Sequence, residues 1–301
     1  MLKRFIKKAS FLEKILIGLM IIILLLSLLP KREGFTEKKN FKSKQNEELF
    51  DEFYAKHYDL LLFSDKKNKY EIVQIDKFIK LQENSAILDA GCGTGHQVEL
   101  FNKEGFNCIG VDKSPAMIKK AQENYPDNEY YVNDFMNSQL YEPDTFDLIT
   151  SFYFTIYYIQ DKKRFFKNCL KWIKPGGYLV VHLVNREKFD PIIPPSNPLK
   201  IVSPQKYAKE RITNSIVHFK DFKYTANFDY KPDDNLAFFK EKFKFKKEKK
   251  VRENEHRLYM EKHDVIVSQV KKSGFVLYEK INLMPVQYED QFLYLFKKPE
   301  H

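Results

Sequence analysis

A chain of 301 residues in which 43% of the side chains are hydrophobic and 15% aromatic can bury a substantial core, which excludes wholesale disorder. Its three cysteines, Cys92, Cys108 and Cys169, are odd in number and widely spaced, which excludes a disulfide framework and a cysteine-based zinc site and fits a reducing compartment. The net charge of +10 is concentrated: residues 1–44 hold eleven Lys/Arg against three Glu, and residues 238–252 hold eight basic against two acidic side chains. The remainder is close to neutral, so basicity alone does not mark a nucleic-acid footprint.

From the N-terminus, Ile15 to Leu29 is apolar all round, broken only by Gly18 and Ser27, and offers no polar face to lie flat on a bilayer. With Phe11 and Leu12 the run covers residues 11–29, or roughly 28 Å of helix against a hydrocarbon core of about 30 Å. Lys3, Arg4, Lys7 and Lys8 would also suit a signal peptide, but Ser27-Leu28-Leu29-Pro30 contains no small-x-small cleavage site, so the expectation is an uncleaved single-pass anchor over residues 1–30. Five basic residues precede the run and six follow within fifteen positions, which leaves orientation unset by charge. The absence of any Asn-x-Ser/Thr sequon leans slightly toward a folded domain facing the cytosol. Residues 31–47 are polar and aperiodic and read as a tether, with the folded domain over residues 48–301.

Two amphipathic helices are expected at Glu48–Leu62 and Tyr70–Leu81, the second from the spacing of Ile72, Ile75, Phe78 and Ile79. Short apolar strands then follow at 86–89, 107–111, 129–132, 146–150 and 178–184, separated by helices near 97–104, 115–123 and 162–172. Ser114 and Asp161 are apt N-caps, and Pro115 suits a first helical position. This alternation implies a parallel sheet covered on both faces. After the proline-rich stretch 191–198 the pattern changes to period two, predicting an antiparallel insertion over about 200–258. A helix near 261–272 and two strands at 275–281 and 291–296, close enough to pair antiparallel, end the chain.

The strongest chemical signal is Ile87-Leu-Asp-Ala-Gly-Cys-Gly-Thr-Gly95: a buried strand delivers Asp89 to its carboxyl end, and Gly91, Gly93 and Gly95 permit a tight turn and close approach of a ligand. Asp112 ends the next strand, where a carboxylate can accept both ribose hydroxyls of a nucleoside, and Asp134 follows the third. A P-loop would need Gly-Lys-Ser/Thr, and a dinucleotide fingerprint would need glycine at position 96, where His96 stands. With Asn133-Asp134 and Ile173-Lys-Pro-Gly-Gly177, these residues resemble a class I S-adenosylmethionine-dependent methyltransferase over about Glu48–Lys298, most specifically over Ile87–Val184.

The resemblance implies a Rossmann-like α/β fold: a seven-stranded, mostly parallel sheet with an antiparallel last strand, helices on both faces and an antiparallel β insertion before the last helix. It implies S-adenosyl-L-methionine as cofactor, with Asp89 and the loop Gly91, Cys92, Gly93 and Gly95 packing its methionine portion and Asp112 on its ribose. Lys113 and Met117 would flank the adenine, Asp134 and Phe135 would hold its edge and face, and Ser151 with Phe152 would close the substrate side. Tyr58 stands where related enzymes place a tyrosine over the cofactor. No metal is implied. The catalytic residue is not identified: Tyr157 and Tyr158 are the local candidates if the acceptor needs a base. His182, inside a strand, reads as a core histidine.

The expected activity is methyl transfer to a nitrogen or oxygen of a small-molecule or lipid-like acceptor by a membrane-anchored enzyme. The missing Asn/Asp-Pro-Pro-aromatic tetrapeptide and Pro-Cys pair argue against DNA. Two alternatives stay open: an RNA methyltransferase, resting on the basic segment, and a membrane-tethered binding module that keeps the fold without catalysis.

Overall fold

The computed structural model describes residues 41–191, 208, 210–248 and 250–300. Among the described residues no helix is long and apolar enough to cross a membrane, and the expected anchor over residues 11–29 lies outside them.

The elements, in chain order, are β1 (Phe41–Gln45), α1 (Glu52–Leu62), α2 (Asp65–Ile79), β2 (Ala86–Ala90), α3 (His96–Lys103), β3 (Asn107–Asp112), α4 (Pro115–Asn124), β4 (Glu129–Val132), β5 (Phe146–Ser151), α5 (Thr155–Tyr158), α6 (Lys162–Trp172) and β6 (Ile173–Val184), followed by β7 (Asn214–His218), β8 (Phe222–Lys231), β9 (Leu236–Phe245), β10 (Val251–Tyr259), α7 (His263–Lys272), β11 (Val276–Asn282) and β12 (Gln291–Lys297). Seven strands form one sheet in the order β11-β12-β6-β5-β2-β3-β4. Strands β2 through β6 run parallel, and β12 inserts antiparallel between β6 and β11. The strand order reverses between β5 and β3, with β2 at the switch point, which places a crevice beyond the carboxyl ends of β2 and β3.

Because β2, β5 and β6 bury side chains on both faces, neighbouring residues feed opposite cores. Leu88, Ile149, Leu179 and Val181 pack with Phe165, Phe166 and Trp172 of α6, whereas Ile87, Leu148 and Val180 pack with Ile75 of α2 and Phe101 of α3. That explains why these strands read as continuous apolar runs. Ser114 and Asp161 cap α4 and α6 as their sequence positions suggest, accepting the N–H groups of Met117 and Arg164. The expected helix at 70–81 begins earlier, at Asp65, because the Ser64 side chain accepts the Lys67 N–H and sets the start.

The insertion forms a second sheet, ordered β1-β10-β9-β8-β7, with β7 through β10 pairing antiparallel in succession. Its inner face places Tyr224 and Phe243 against Tyr54, Ala55 and Leu61 of α1 and Met117 of α4. Its outer face carries the basic run: Lys242 pairs with Glu253 at 2.7 Å and Lys240 with Glu255 at 3.4 Å across the β9–β10 register. These lysines form a solvated strand face answered by the opposite glutamates.

The folded part begins before Glu48, so the expected tether over 31–47 is too long at its C-terminal end. Residues 41–45 join β10 as an edge strand, Leu49 is fully buried, and Arg252 of β10 donates to Leu49 O and, through one nitrogen, to both carboxylate oxygens of Asp51 at 2.9 and 2.7 Å. Residues 42–45 of this edge strand are polar and none is buried, so they carry no period-two hydrophobic signal.

Candidate active site

The crevice opens into a cavity of about 1730 Å³ lined at one end by the glycine loop and at the other by aromatic side chains. The loop is pinned to the neighbouring strand: the N–H groups of Gly91 and Cys92 both donate to Val111 O, at 2.7 and 3.1 Å. Gly91 and Gly93 both line the cavity, and Gly93 is the one with open room above it. A Cβ there would meet nothing closer than the Tyr58 ring at 3.7 Å, while a Cβ on Gly91 would run into the Thr155 side chain.

Asp112 ends β3 with its carboxylate at this mouth. Oδ2 accepts the Gly93 N–H at 3.1 Å and Oδ1 the Ser114 N–H at 2.9 Å. Burial pushes its pKa up, partly offset by these backbone hydrogen bonds. Each oxygen retains acceptor capacity for a further donor, so the group suits a vicinal diol. Lys113, Met117 and Phe135 line the same end. Lys113 bridges Glu47 at 2.9 Å and Asp134 at 3.2 Å. Asp134 is half-exposed, takes the Met136 N–H on Oδ1 and is not among the residues lining the cavity, whereas Phe135 and Met136 are.

Other expected residues stand behind the wall. Asp89 is buried beneath the loop, accepts the Thr150 hydroxyl at 2.8 Å and has its pKa pushed up to about 7 by burial. Cys92 lies against Gly110 on the core side, its thiol pushed well up by burial. Gly95 caps α3 and packs against Tyr130. Ser151 and Phe152 are buried and do not reach the cavity. Tyr157 is fully buried, and its hydroxyl accepts the Val184 N–H at 2.8 Å, which occupies it structurally and removes it as a base. These side chains alternate away from the crevice, a direction that residue spacing along the loop does not reveal. His182 is buried in β6, as expected of a core histidine, with its pKa driven well down by burial.

Over the loop lies α1, which brings Tyr58 above Gly93. The helix is held down by Asp59, whose carboxylate accepts the Thr94 hydroxyl at 2.5 Å and the Asn124 amide at 3.2 Å and pairs with His96 Nε2 at 3.0 Å. Since Nε2 faces a carboxylate it carries the proton, leaving Nδ1 to accept the Tyr125 hydroxyl at 2.6 Å. Burial pushes the Asp59 carboxyl up, but His96, Thr94 and Asn124 outweigh it and hold the pKa below its usual range. A depressed carboxyl contributes stability above its unfolded pKa of about 3.9 and loses it as pH falls through the folded value. Asp59→Asn is therefore expected to cost about 1.5 kcal/mol at neutral pH. In thermal unfolding the gap between wild type and variant should be constant above roughly pH 5 and narrow in more acid solution; a pH-independent gap would show that the ionised form is not what holds α1.

At the far end, Tyr158 of α5 lines the cavity with its hydroxyl 2.6 Å from His256 Nδ1, and His256 Nε2 lies 2.7 Å from Glu241 Oε2. Glu241 also accepts from Tyr224 at 2.7 Å and from Asn254 at 3.1 Å. Burial pushes the Glu241 pKa up, but His256 and these hydrogen bonds prevail and keep it lowered. Sequence reasoning missed this group, although a signal existed. In β9 the inward phase reads Phe239, Glu241, Phe243, and in β10 it reads Arg252, Asn254, His256, Leu258, which places a charged and an imidazole side chain where a plain lid would carry apolar ones. Among the described residues no cluster suited to a metal ion occurs.

Residues 88–181 match the family described as a methyltransferase domain. The chain is 33% identical over 114 residues to a dTDP-4-amino-2,3,4,6-tetradeoxy-D-glucose N,N-dimethyltransferase of Saccharopolyspora spinosa, a match covering 37% of this chain and 45% of that protein. It is 31% identical over 122 residues to a ubiquinone biosynthesis O-methyltransferase of Coxiella burnetii, covering 40% and 51%. The chain thus matches about half the length of these curated relatives. Among solved structures, a S-adenosylmethionine-dependent methyltransferase from Clostridium acetobutylicum superposes with a TM-score of 0.63 at 21% identity, covering 82% of this chain and 98% of the other. An amino pentose methyltransferase from Micromonospora echinaspora, solved with S-adenosylmethionine bound, gives 0.57 at 16% identity over 82% and 96%. Both share the fold: the seven-stranded sheet described above is that of this group.

Proposed function

We infer that this chain, whose residues 88–181 form a class I S-adenosylmethionine-dependent methyltransferase domain, transfers a methyl group to a small molecule held beneath its second sheet. The observation that carries this reading is one cavity shared by the Gly93–Asp112 mouth and an aromatic chamber. Its volume exceeds the roughly 300–1,000 Å³ of a single-ligand site, which leaves room for donor and acceptor together.

The residues present fit the cofactor. Asp112 has spare acceptor capacity for the ribose hydroxyls, Gly93 leaves room beside it, and Met117 and Phe135 offer apolar faces to a base. Tyr58 and Tyr54 present rings toward a site where a cationic group is favoured by aromatic faces. When bound, S-adenosylmethionine would supply an electrophilic methyl group. The protein's part is to hold the acceptor in line and to exclude water, which α1 and the second sheet do by covering the crevice.

The acceptor end is walled by Phe50, Tyr153, Phe154, Phe228 and Phe239, which supports a compact, partly apolar acceptor. Lys240 and Lys242 of β9 lie on the outer face of the second sheet, opposed by Glu255 and Glu253, which weighs against RNA as the acceptor. The apolar run over residues 11–29 supports an additional reading, a single-pass anchor with the domain on the cytosolic side. Retention of the full-length protein in the membrane pellet after alkaline extraction tests it, and release into the supernatant would overturn it.

Calorimetry on the full-length protein should show saturable, one-to-one binding of S-adenosylmethionine and of S-adenosylhomocysteine, and none of NADH. Failure to bind either sulfur nucleoside would overturn the methyl-transfer reading, and binding of NADH would favour a dinucleotide enzyme.

A further inference from the structure

Glu241 and His256 are each only 2% exposed, on adjacent strands of a sheet whose remaining inner face is largely aromatic. Burying a carboxylate in such surroundings is costly unless partners compensate, and here Tyr224, Asn254 and His256 do so. A solely structural knot could close on itself at this point. This one continues to the cavity: His256 holds Tyr158 at 2.6 Å, and Tyr158 is a cavity wall.

The relay starts from a neutral imidazole with its proton on Nε2 toward the Glu241 carboxylate; Nδ1 then presents a lone pair, to which the Tyr158 O–H donates. The Tyr158 oxygen then retains lone pairs of its own on the cavity side. Burial, with Tyr58 and Glu241 nearby, pushes the Tyr158 pKa far up, so the phenol remains protonated and serves as a conduit rather than a store.

Resting on the methyl-transfer reading above, we propose that Tyr158 and His256, oriented by Glu241, form a proton relay that deprotonates a phenolic or enolic hydroxyl of the acceptor. The acceptor O–H bond breaks with its electron pair remaining on oxygen, and the proton adds to a lone pair of the Tyr158 oxygen. The proton already on Tyr158 passes to His256 Nδ1, so Tyr158 ends neutral, the imidazole ends as imidazolium beside the Glu241 carboxylate, and the acceptor ends as an oxyanion nucleophile. Tyr158 is the catalytic residue that touches the acceptor, and Glu241 is a positioning residue.

The chemistry selects the acceptor class. An amine arriving as free base needs no proton removed before attack, and an aliphatic alcohol is far too weak an acid for an imidazole. A phenol, with a pKa near 10, lies within about four units of an ordinary histidine, a gap that a proton transfer coupled to attack can cross. The groups facing His256 agree. Tyr54 of α1 approaches Nε2 at 3.5 Å, the Phe50 and Phe239 rings flank the imidazole, and Tyr224 of β8 reaches it through Glu241. Arg252 on its own strand is spent on Asp51, Leu49 and Asn254, so among the described partners the charge nearest the imidazole is that of Glu241.

The probe is 4-nitrophenol, whose phenolate absorbs visible light and whose phenol does not. Bound to the full-length protein, it should titrate about one unit lower than free in solution, a roughly tenfold gain in phenolate at a given pH. His256→Asn and Tyr158→Phe should bring the bound probe back to its solution titration, its phenolate affinity falling about tenfold relative to that of the neutral phenol, and Glu241→Gln should fall between. A probe that binds wild type yet titrates as in solution overturns the relay, as does phenolate formation that survives both His256→Asn and Tyr158→Phe, or no saturable binding of the probe at all. Tyr158→Phe keeps the ring and guards against a folding defect in the histidine variant. Calorimetry with S-adenosylmethionine on the same samples separates the two readings, since loss of donor binding with the probe response intact would overturn methyl transfer and leave the relay standing.

Discussion

Replacing Asp112 by alanine should weaken S-adenosylmethionine binding by roughly 10- to 150-fold, equivalent to about 1.5–3 kcal/mol for the loss of charge-assisted hydrogen bonds to a diol. The same change should not unfold the protein. The carboxyl is buried, and its pKa is pushed up by that burial. A carboxyl whose folded pKa exceeds its unfolded value is a liability at neutral pH that lessens as pH falls and the group protonates. Asp112→Asn keeps the shape but sets its NH2 against one of the two backbone N–H groups, of Gly93 and Ser114, that the carboxylate accepts; that lost hydrogen bond offsets the relief of a buried charge, so the melting temperature of the unliganded protein should change little while the cofactor weakens by an intermediate amount. Calorimetry and thermal unfolding on the three proteins check both halves. Unchanged affinity in Asp112→Ala would remove Asp112 as the ribose anchor, and a large loss of stability in Asp112→Asn would make its role structural.

Gly95→Ala should destabilise the fold by about 2–4 kcal/mol, from two sources. The residue has φ of +88°, a left-handed conformation that costs a side-chain-bearing residue about 1 kcal/mol. A Cβ there would also lie 2.6 Å from the Tyr130 hydroxyl oxygen and 3.0 Å from the Ala121 Cβ, crowding worth a further 1–3 kcal/mol by comparison with overpacked cores. Gly105 supplies the control, since its φ is also +88° but nothing lies within 4 Å of its would-be Cβ, so Gly105→Ala should lose only the conformational part. Urea unfolding of the two variants isolates the crowding as their difference. Equal losses would mean that Tyr130 moves aside freely and that the loop tolerates more bulk than its packing suggests.

The parallel sheet was legible because strands buried on both faces write themselves as short apolar blocks, and the loop was legible because glycine at 91, 93 and 95 has few other uses. What escaped is what depends on direction and register. Tyr157 and Tyr158 are neighbours on a four-residue helix, so their side chains diverge, one under β6 and the other into the cavity. Nothing in the order of letters says which goes where. Glu241 and His256 come from two strands and meet diagonally, since Glu241 pairs with Asn254, and that register is fixed by the β9–β10 turn rather than by either strand's pattern. Ser151 and Cys92 sit next to the site in sequence, but Ser151 is buried at the end of β5 and the Cys92 thiol turns from the loop onto Gly110 of β3.

The cavity's walls come from separate stretches of chain: residues 91–136 form the mouth, while the aromatic end draws on residues 50–58, 153–159 and 228–259. The second sheet is inserted between β6 and α7, and its Phe228, Phe239, His256 and Leu258 line the acceptor chamber, whereas its Tyr224 and Phe243 pack against Tyr54 and Met117 behind the donor end. Acceptor choice and donor capture are therefore separable design variables. On the proposed methyl transfer, a library confined to the chamber-lining positions Phe228, Phe239 and Leu258 could retune the acceptor while donor affinity stays constant, and laboratory evolution of this protein can be monitored with one binding assay that does not change as the substrate does.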